Sequence, residues 1–518
     1  MRIIILTISF STLSYFKTQA QESSVSKMDS KYVNWHNRDF EQDQMLGTSV
    51  DRTYAELLKN KAAKKTVIVA VIDSGVDIDH EDIKDNIWIN EDEIPDNNID
   101  DDHNGYVDDL HGWNFIGGKN GENVVYENFE YTRLYKAGNG PYFLKAKELY
   151  EAELAKRTND KKNIVKFEEI YYKSKAIIKD KTGIDASSVQ ALDSVNSDDQ
   201  QILAAKRFLS SRYEKGFEEK MLDGIKKNNS DYFNWFLNLK FNPRTIVGDV
   251  PLKLDDVAYG NADVKGQRSD HGTAVAGVIA AVRDNNIGIN GIAPNVRIMC
   301  IRSTPRGDER DKDVALAIKY AVENGADIIN LSFGKAMSPQ KKFVDQAVKL
   351  AENKGVLIVH GAGNDGKNID VEESYPSDRY IDETEMSNWI NVGASGYSFN
   401  DEVAADFSNY GIKHVDLFAP GEKIVSTDST NTYNINDGTS LSAPVVSGIA
   451  AMILSYHPDL KPQQLIQLLL ESSKKIDEKV LVPGQTNDEK KKIKFSKLSK
   501  SGGIVNAYAA MKQAEGSQ

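Results

Sequence analysis

Short unbroken runs of β-branched and apolar residues alternate along this chain with stretches whose apolar positions recur every three or four residues. Val67-Ile68-Val69-Ala70-Val71-Ile72, Val296-Arg297-Ile298-Met299-Cys300-Ile301, Asp327-Ile328-Ile329-Asn330-Leu331 and Gly355-Val356-Leu357-Ile358-Val359 predict strands, the first and last buried on both faces. Between them, Val314, Ala317, Ile318, Ala321 and Val322 repeat at helical spacing, with Gly325 placed as a C-terminal cap. Phe343, Val344, Ala347, Val348 and Ala351 predict the next amphipathic helix, and Ala450 to Leu454 a buried one. Repeated strand–helix units predict an α/β fold, a doubly wound parallel sheet with helices on both faces.

Two regions fall outside this alternation. Residues 21–63 read as a polar, helix-leaning leader. Residues 119–262 are rich in Lys, Glu and Tyr and carry the stripe Ile164, Phe167, Ile170, Tyr171, Ser174, Ile177 and Ile178, which predicts a helical insertion with a core of its own. Ahead of both, Arg2 precedes the apolar run from Ile3 to Phe16, and Thr18-Gln19-Ala20 follows. That is a signal-peptide pattern over residues 1–20, cleaved after Ala20. It implies an exported bacterial protein, periplasmic or secreted. The apolar run is too short to span a bilayer and no later one is long enough, so no transmembrane segment is expected.

Charge and cysteine usage narrow the classes further. A net charge of −13 excludes nucleic acid and anionic membrane as partners. Cys300 is the single cysteine, so no internal disulfide can form, and its place in a strand reads as a buried thiol.

The chemistry sits at element ends. Asp73 follows the first strand, at the carboxyl edge where open α/β sheets build their sites. His271 opens the small-residue stretch His271-Gly272-Thr273-Ala274-Val275-Ala276-Gly277. Asn364 lies in the loop Gly361-Ala362-Gly363-Asn364 after another strand. Ser440 lies in Gly438-Thr439-Ser440-Leu441-Ser442-Ala443-Pro444, ahead of the apolar helix. A hydroxyl there sits beside free backbone N–H groups and the positive end of the helix dipole. Taken singly, each of these is a turn or a helix cap; an acid, a base, an oxyanion donor and a nucleophile in this order carry more.

The blocks DSGVDIDH, HGTAVAGVIA, NLSFG, GAGN, FSNYG, VDLFAPG and GTSLSAPVVSG resemble the subtilisin family of serine proteases over roughly residues 64–118 and 264–514. Leu441 and Ser442 stand where Met and Ala are usual, and Ala274 where a second His is common. The resemblance implies a serine endopeptidase with Asp73, His271 and Ser440 as triad and Asn364 in the oxyanion hole. It implies substrate contacts from Ser332, Gly334 and Gly363, protein or peptide substrates, and no cofactor for the chemistry. The segments are then a signal peptide (1–20), a leader (21–63), a peptidase domain in two parts (64–118 and 263–514) and the insertion (119–262). The Asp and His blocks lie 198 positions apart, a much longer connection than compact family members have. The insertion is either a restraint beside the cleft or a surface decoration.

Asp100, Asp102, Asn104, the Tyr106 carbonyl and Asp108 have the alternate spacing of a calcium loop, with Gly105 at the turn. His111 stands where an EF-hand supplies its last Glu, so a structural calcium and a solvated acidic turn both remain open. His80 with Asp77, Asp79 and Asp82 reads as a loop after a strand rather than a metal cluster. His360 either walls the substrate pocket or is packed. A pseudoprotease would need a lost triad member and none is lost, while a calcium-dependent adhesion module would leave the ordered blocks unexplained.

Overall fold

The computed structural model describes residues 25–485 and 491–516. The expected signal peptide, residues 1–20, lies outside the described residues. The chain divides into a helical unit, Tyr131–Phe241, and a larger unit made of Glu22–Glu130 and Asn242–Gln518.

The larger unit is organised by β1 (Val67–Asp73), β2 (Gly112–Asn114), β3 (Val296–Arg302), β4 (Ile328–Leu331), β5 (Leu357–Gly361), β6 (Trp389–Ser395) and β7 (Leu417–Pro420). With two short edge strands they form a nine-stranded sheet in the order Lys474–Lys475, Gly503–Ile504, β7, β6, β5, β4, β1, β3, β2. Every pairing is parallel except the one between the two edge strands. The register explains why the strand runs do not alternate with polar residues. Val67, Val69 and Val71 pack on the side of helices Asp270–Ala280 and Thr439–Tyr456. Ala70 and Ile72 pack on the other side, among residues of helices Asp311–Glu323 and Lys341–Lys354. Both faces of the sheet are therefore apolar, and each aliphatic side chain fully buried there contributes about 1.5–3 kcal/mol. The expected doubly wound α/β fold is what the chain forms.

Helix Thr439–Tyr456 runs through the core with every residue buried. It is the one helix among the described residues long and apolar enough to cross a membrane by length and composition, and its burial makes it the central core helix of this unit. The segment before β1 is also part of this core. Trp35, Val50 and Leu58 join the cluster behind β1. Trp35 Nε1 donates to the carbonyls of Glu422 and Lys423, Asn37 Nδ2 to Asn290 O, and Tyr54 Oη to Ile292 O.

The helical unit is built on a long helix, Phe143–Thr182, with Gln200–Tyr213 and Lys220–Asp231. Its core gathers Tyr171, Ile178, Leu192, Ile202, Leu209, Phe217 and Leu222, with Ile164, Phe167 and Ile177 packed against it. From the expected stripe only Ile170 departs, at 39% exposed. The stretches 119–130 and 242–262, flanking this unit in sequence, lie in the larger unit, where Asn114 pairs with Asn261, Gly117 with Asn123 and Tyr126 with Arg306.

Candidate active site

Asp73 ends β1 and is 1% exposed. Its carbonyl accepts from Ser303 N and Thr304 N, and its carboxylate accepts from Ser74 N at 2.6 Å. His271 lies in the first turn of helix Asp270–Ala280, and its Nδ1 donates to Asp73 Oδ1 at 2.8 Å and reaches Oδ2 at 3.0 Å. Gly272 is what lets this helix approach so closely: a Cβ there would lie 2.2 Å from Gly75 O. Burial by itself favours the neutral ring, but the attraction and hydrogen bond of Asp73 outweigh it and raise the His271 pKa above the ordinary 6.5.

Ser440 lies in the first turn of helix Thr439–Tyr456, where backbone N–H groups have no intrahelical partner. Pro444, four residues on, has no N–H, so the Ser440 carbonyl loses its helical donor. Ser332 Oγ supplies one instead, at 2.9 Å, and in turn accepts from Asn330 Nδ2 at 2.9 Å. Asn364 Oδ1 accepts from Thr439 N at 2.8 Å and Thr439 Oγ1 at 3.0 Å, which turns its Nδ2 away from these donors. A Cβ on Gly438 would lie 2.9 Å from Ser440 Oγ and 3.6 Å from Asn364 Nδ2, so hydroxyl and amide border the same small space. Among the described residues, Ser440 Oγ and His271 Nε2 form no hydrogen bond with each other.

These elements recur in known proteins. The profile of the Subtilase family matches residues 64–493. This chain belongs to the subtilase family. Over 188 residues it is 40% identical to a thermophilic serine proteinase of Bacillus sp. (strain AK1), covering 36% of this chain and 43% of that protein. It is 36% identical to subtilisin DY of Bacillus licheniformis over 38% of this chain and 67% of the relative. Thermitase of Thermoactinomyces vulgaris is 38% identical over 36% of this chain and 61% of the relative. The chain thus spans from under half to about two thirds of the length of these relatives. Among solved structures, a protease of Pseudoalteromonas arctica PAMC 21717 aligns over 49% of this chain and 78% of its own, with 26% identity and a TM-score of 0.39.

The positions where this subtilase departs from the usual motif have local explanations. Ser442 Oγ donates to the carbonyls of Ala419 and Pro420, and Leu441 and Ala274 pack in the core. Gly363 has φ of +104°, and a Cβ there would meet Asn409 Nδ2 at 2.4 Å. Gly334 faces Tyr375 O. His360 is packed, its Nδ1 against Asn391 Oδ1 at 2.8 Å and its Nε2 donating to Phe333 O at 2.9 Å, behind the segment that holds Ser332. Cys300 is fully buried, and burial pushes its thiol pKa far up. His80 Nε2 donates to Thr432 O.

In the acidic loop, carboxylate oxygens of Asp100 and Asp102 come together with one of Glu93, all within 4.8 Å of one another. Asp108 is directed elsewhere, accepting from Asn97 N and Asn98 N at 3.1 and 3.0 Å. Asn104 Nδ2 donates to Asp102 and Asp109, while the Tyr106 ring packs against Trp113 and Tyr320. Glu93 escapes sequence spacing because a fold-back of the chain, not a short periodic loop, brings it in. Its nearest signal is Asn90, whose side chain donates to Asp102 and Asp109.

Proposed function

We propose that this subtilase is an exported serine endopeptidase that cleaves protein or peptide substrates through an acyl-enzyme. Ser440 Oγ attacks the scissile carbonyl carbon while its proton passes to His271 Nε2. The C–N bond then breaks as that proton moves to the leaving amine, and water repeats the sequence to release the acid. Asp73 holds the tautomer in which Nε2 is free to accept. Asn364 Nδ2 and the Ser440 backbone N–H stabilise the oxyanion. Ser332, Gly334 and Gly363 border the extended substrate, which pairs with the Leu331–Gly334 segment like an added strand. The observation that carries this reading is the 2.8 Å contact between Asp73 and His271 Nδ1. The signal peptide of residues 1–20, the leader of 21–63 and the division into 64–118, 119–262 and 263–514 belong to the same proposal.

Labelling with a serine-directed fluorophosphonate tests it. Wild type is expected to label and to cleave peptides, and Ser440→Ala to do neither while melting as the wild type does. Retained cleavage in that variant would overturn the assignment. The base must be neutral, so kcat/KM is expected to rise with pH through a value above 6.5, the raised pKa of His271.

The acidic loop supports a second, structural proposal. Asp100, Asp102 and Glu93 suit calcium, a hard cation that prefers oxygen ligands, with Asn104 and the Tyr106 carbonyl as the further donors expected from spacing; Asp108, expected as another, instead holds Asn97 N and Asn98 N. The ion would supply stability and no chemical step. Chelator is expected to lower the melting temperature of the wild type and to leave an Asp100→Ala/Asp102→Ala double variant unaffected. Identical melting of the wild type with and without chelator would leave a solvated turn.

A further inference from the structure

Arg302 ends β3 as the register partner of Asp73. It is 1% exposed, and its guanidinium meets three neutral oxygens. Nε donates to Ser74 O at 2.8 Å, Nη1 to Asn114 Oδ1 at 3.2 Å and Nη2 to Val124 O at 2.9 Å. A buried cation among neutral acceptors is costly, so filling space beside the sheet is a weak reason for it. Burial draws its pKa down to about 10, against the pull of Asp263, and it stays charged at neutral pH.

Its three acceptors play different parts. Ser74, whose carbonyl takes Nε, donates its own N–H to Asp73 Oδ1 at 2.6 Å. Asp73 Oδ1 in turn accepts from His271 Nδ1 at 2.8 Å. A continuous path therefore runs from the guanidinium through both backbone polar groups of Ser74 to the carboxylate and the imidazole. The other two acceptors anchor the far side of the fork. Asn114 Nδ2 donates to Asn123 Oδ1 at 2.6 Å and Asn261 Oδ1 at 2.9 Å, and Asn123 Nδ2 donates to Asp263 Oδ2 at 2.6 Å. Gly266 covers the guanidinium so closely that a Cβ there would lie 2.6 Å from Nε.

We propose that Arg302 is a positioning residue: its fork fixes the backbone of Ser74 and so aims the Asp73 carboxylate at His271 Nδ1. The proposal rests on the peptidase reading of Asp73 and His271. Lysine is a poor substitute, because one ammonium cannot span three acceptors with the planar spread of a guanidinium.

The His271 titration, followed by NMR of its ring protons, provides a readout independent of turnover. The other charges near the ring are Asp270 and Arg268 on its own segment, with Asp428 of the strand Ile424–Asp428 facing Asp270. None of them lies on the Arg302 path. In Arg302→Met the loosened carboxylate holds the imidazolium less well, so the His271 pKa is expected to fall by at least about 0.5. The acid limb of kcat/KM should move with it, and kcat should drop about 10- to 100-fold with KM within about twofold. Arg302→Lys should recover part of the loss. Gly266→Ala keeps the charge but crowds Nε, and is expected to shift the titration in the same direction; it is the deciding variant if Arg302→Met does not fold. An unmoved titration and kcat in either folded variant would overturn the proposal, even with a lowered melting temperature. A titration that responds in a wild-type protein that neither labels nor cleaves would uphold the positioning path and overturn the peptidase reading instead.

Discussion

The larger unit and the helical unit bury apolar surface in different ways, and the difference decides which of them can carry precise chemistry. β1 is covered on both faces, its odd positions facing one helical layer and its even positions the other. The 40-residue helix Phe143–Thr182 of the helical unit buries five of its residues, and leaves Val165, Ile170 and Tyr172 exposed. Charge follows the same division. Pairs such as Lys175–Glu219 and Lys226–Glu168 lie at the surface of the helical unit, where each contributes about 0–1 kcal/mol. In the larger unit, Arg244 binds Asp249 and Asp313, and Lys335 binds Glu130 and Asp311, all out of solvent. Removing one partner of such a pair costs about 3–5 kcal/mol. A strand end fixed from both faces can hold a carboxylate at the 2.8 Å hydrogen-bond distance from an imidazole, whereas a helix packed along one stripe tolerates repacking.

The largest effect that would sharpen this contrast comes from Asn364. Asn364→Ala removes one donor beside Ser440 and leaves Asp73 and His271 in place. Turnover is expected to fall by about 10²–10³, the range known for a single oxyanion donor in this family rather than one calculated for this chain. A loss below about threefold would detach Asn364 from the chemistry. Leu209→Ala probes the other region. Leu209 is fully buried in the core of the helical unit, and its truncation is expected to cost that unit about 2–5 kcal/mol. Calorimetry should report the loss while kcat/KM for a short peptide stays within about twofold. Parallel losses in both would break the separation of roles.

The same contrast explains what could be read in the sequence. Strands buried on both faces leave unbroken β-branched runs, so β1 and β5 were legible, and Asp73 and Asn364 follow from where those runs stop. The helical unit was legible from its period, and Ile170 misled because an aliphatic residue beside a narrow stripe still fits the pattern. The segment before β1 was harder to interpret. It is secured as much by polar groups as by apolar ones: Thr48 Oγ1 bonds His36 O, Thr53 Oγ1 bonds Ser49 O, and Asn37 reaches Asn290. A buried polar residue that forms such a bond looks in sequence like one in solvent. The role of Ser332 was hidden for a related reason, because the carbonyl it serves lacks a donor only once Pro444 is seen inside a helix.

The smallest predicted effect also separates the two regions, by the sign of their response to pH. Burial, reinforced by the nearby Asp437 carboxylate, pushes Glu422 in the larger unit up to about 7 from an ordinary 4.5. The folded state therefore holds this proton more tightly than the unfolded chain does. Its contribution is fully present below pH 4.5 and is lost as pH rises through 7. In the helical unit, Glu219 moves the other way, held down chiefly by its bond to Lys175, so its contribution is present above 4.5 and is lost as pH falls. Melting followed between pH 5 and 8 should thus show the larger unit losing on the order of 1–3 kcal/mol from Glu422 alone. The helical unit, dominated by exposed pairs, should hold nearly constant over that window. Glu422→Gln should make the decline of the larger unit shallower without touching the helical one, leaving the share of Asp109 and Glu309, which burial pushes up to about 6 and about 8. A decline of equal slope in that variant would assign the pH response to other buried carboxyls, and a matching decline in the helical unit would show that the two regions do not melt as separate units.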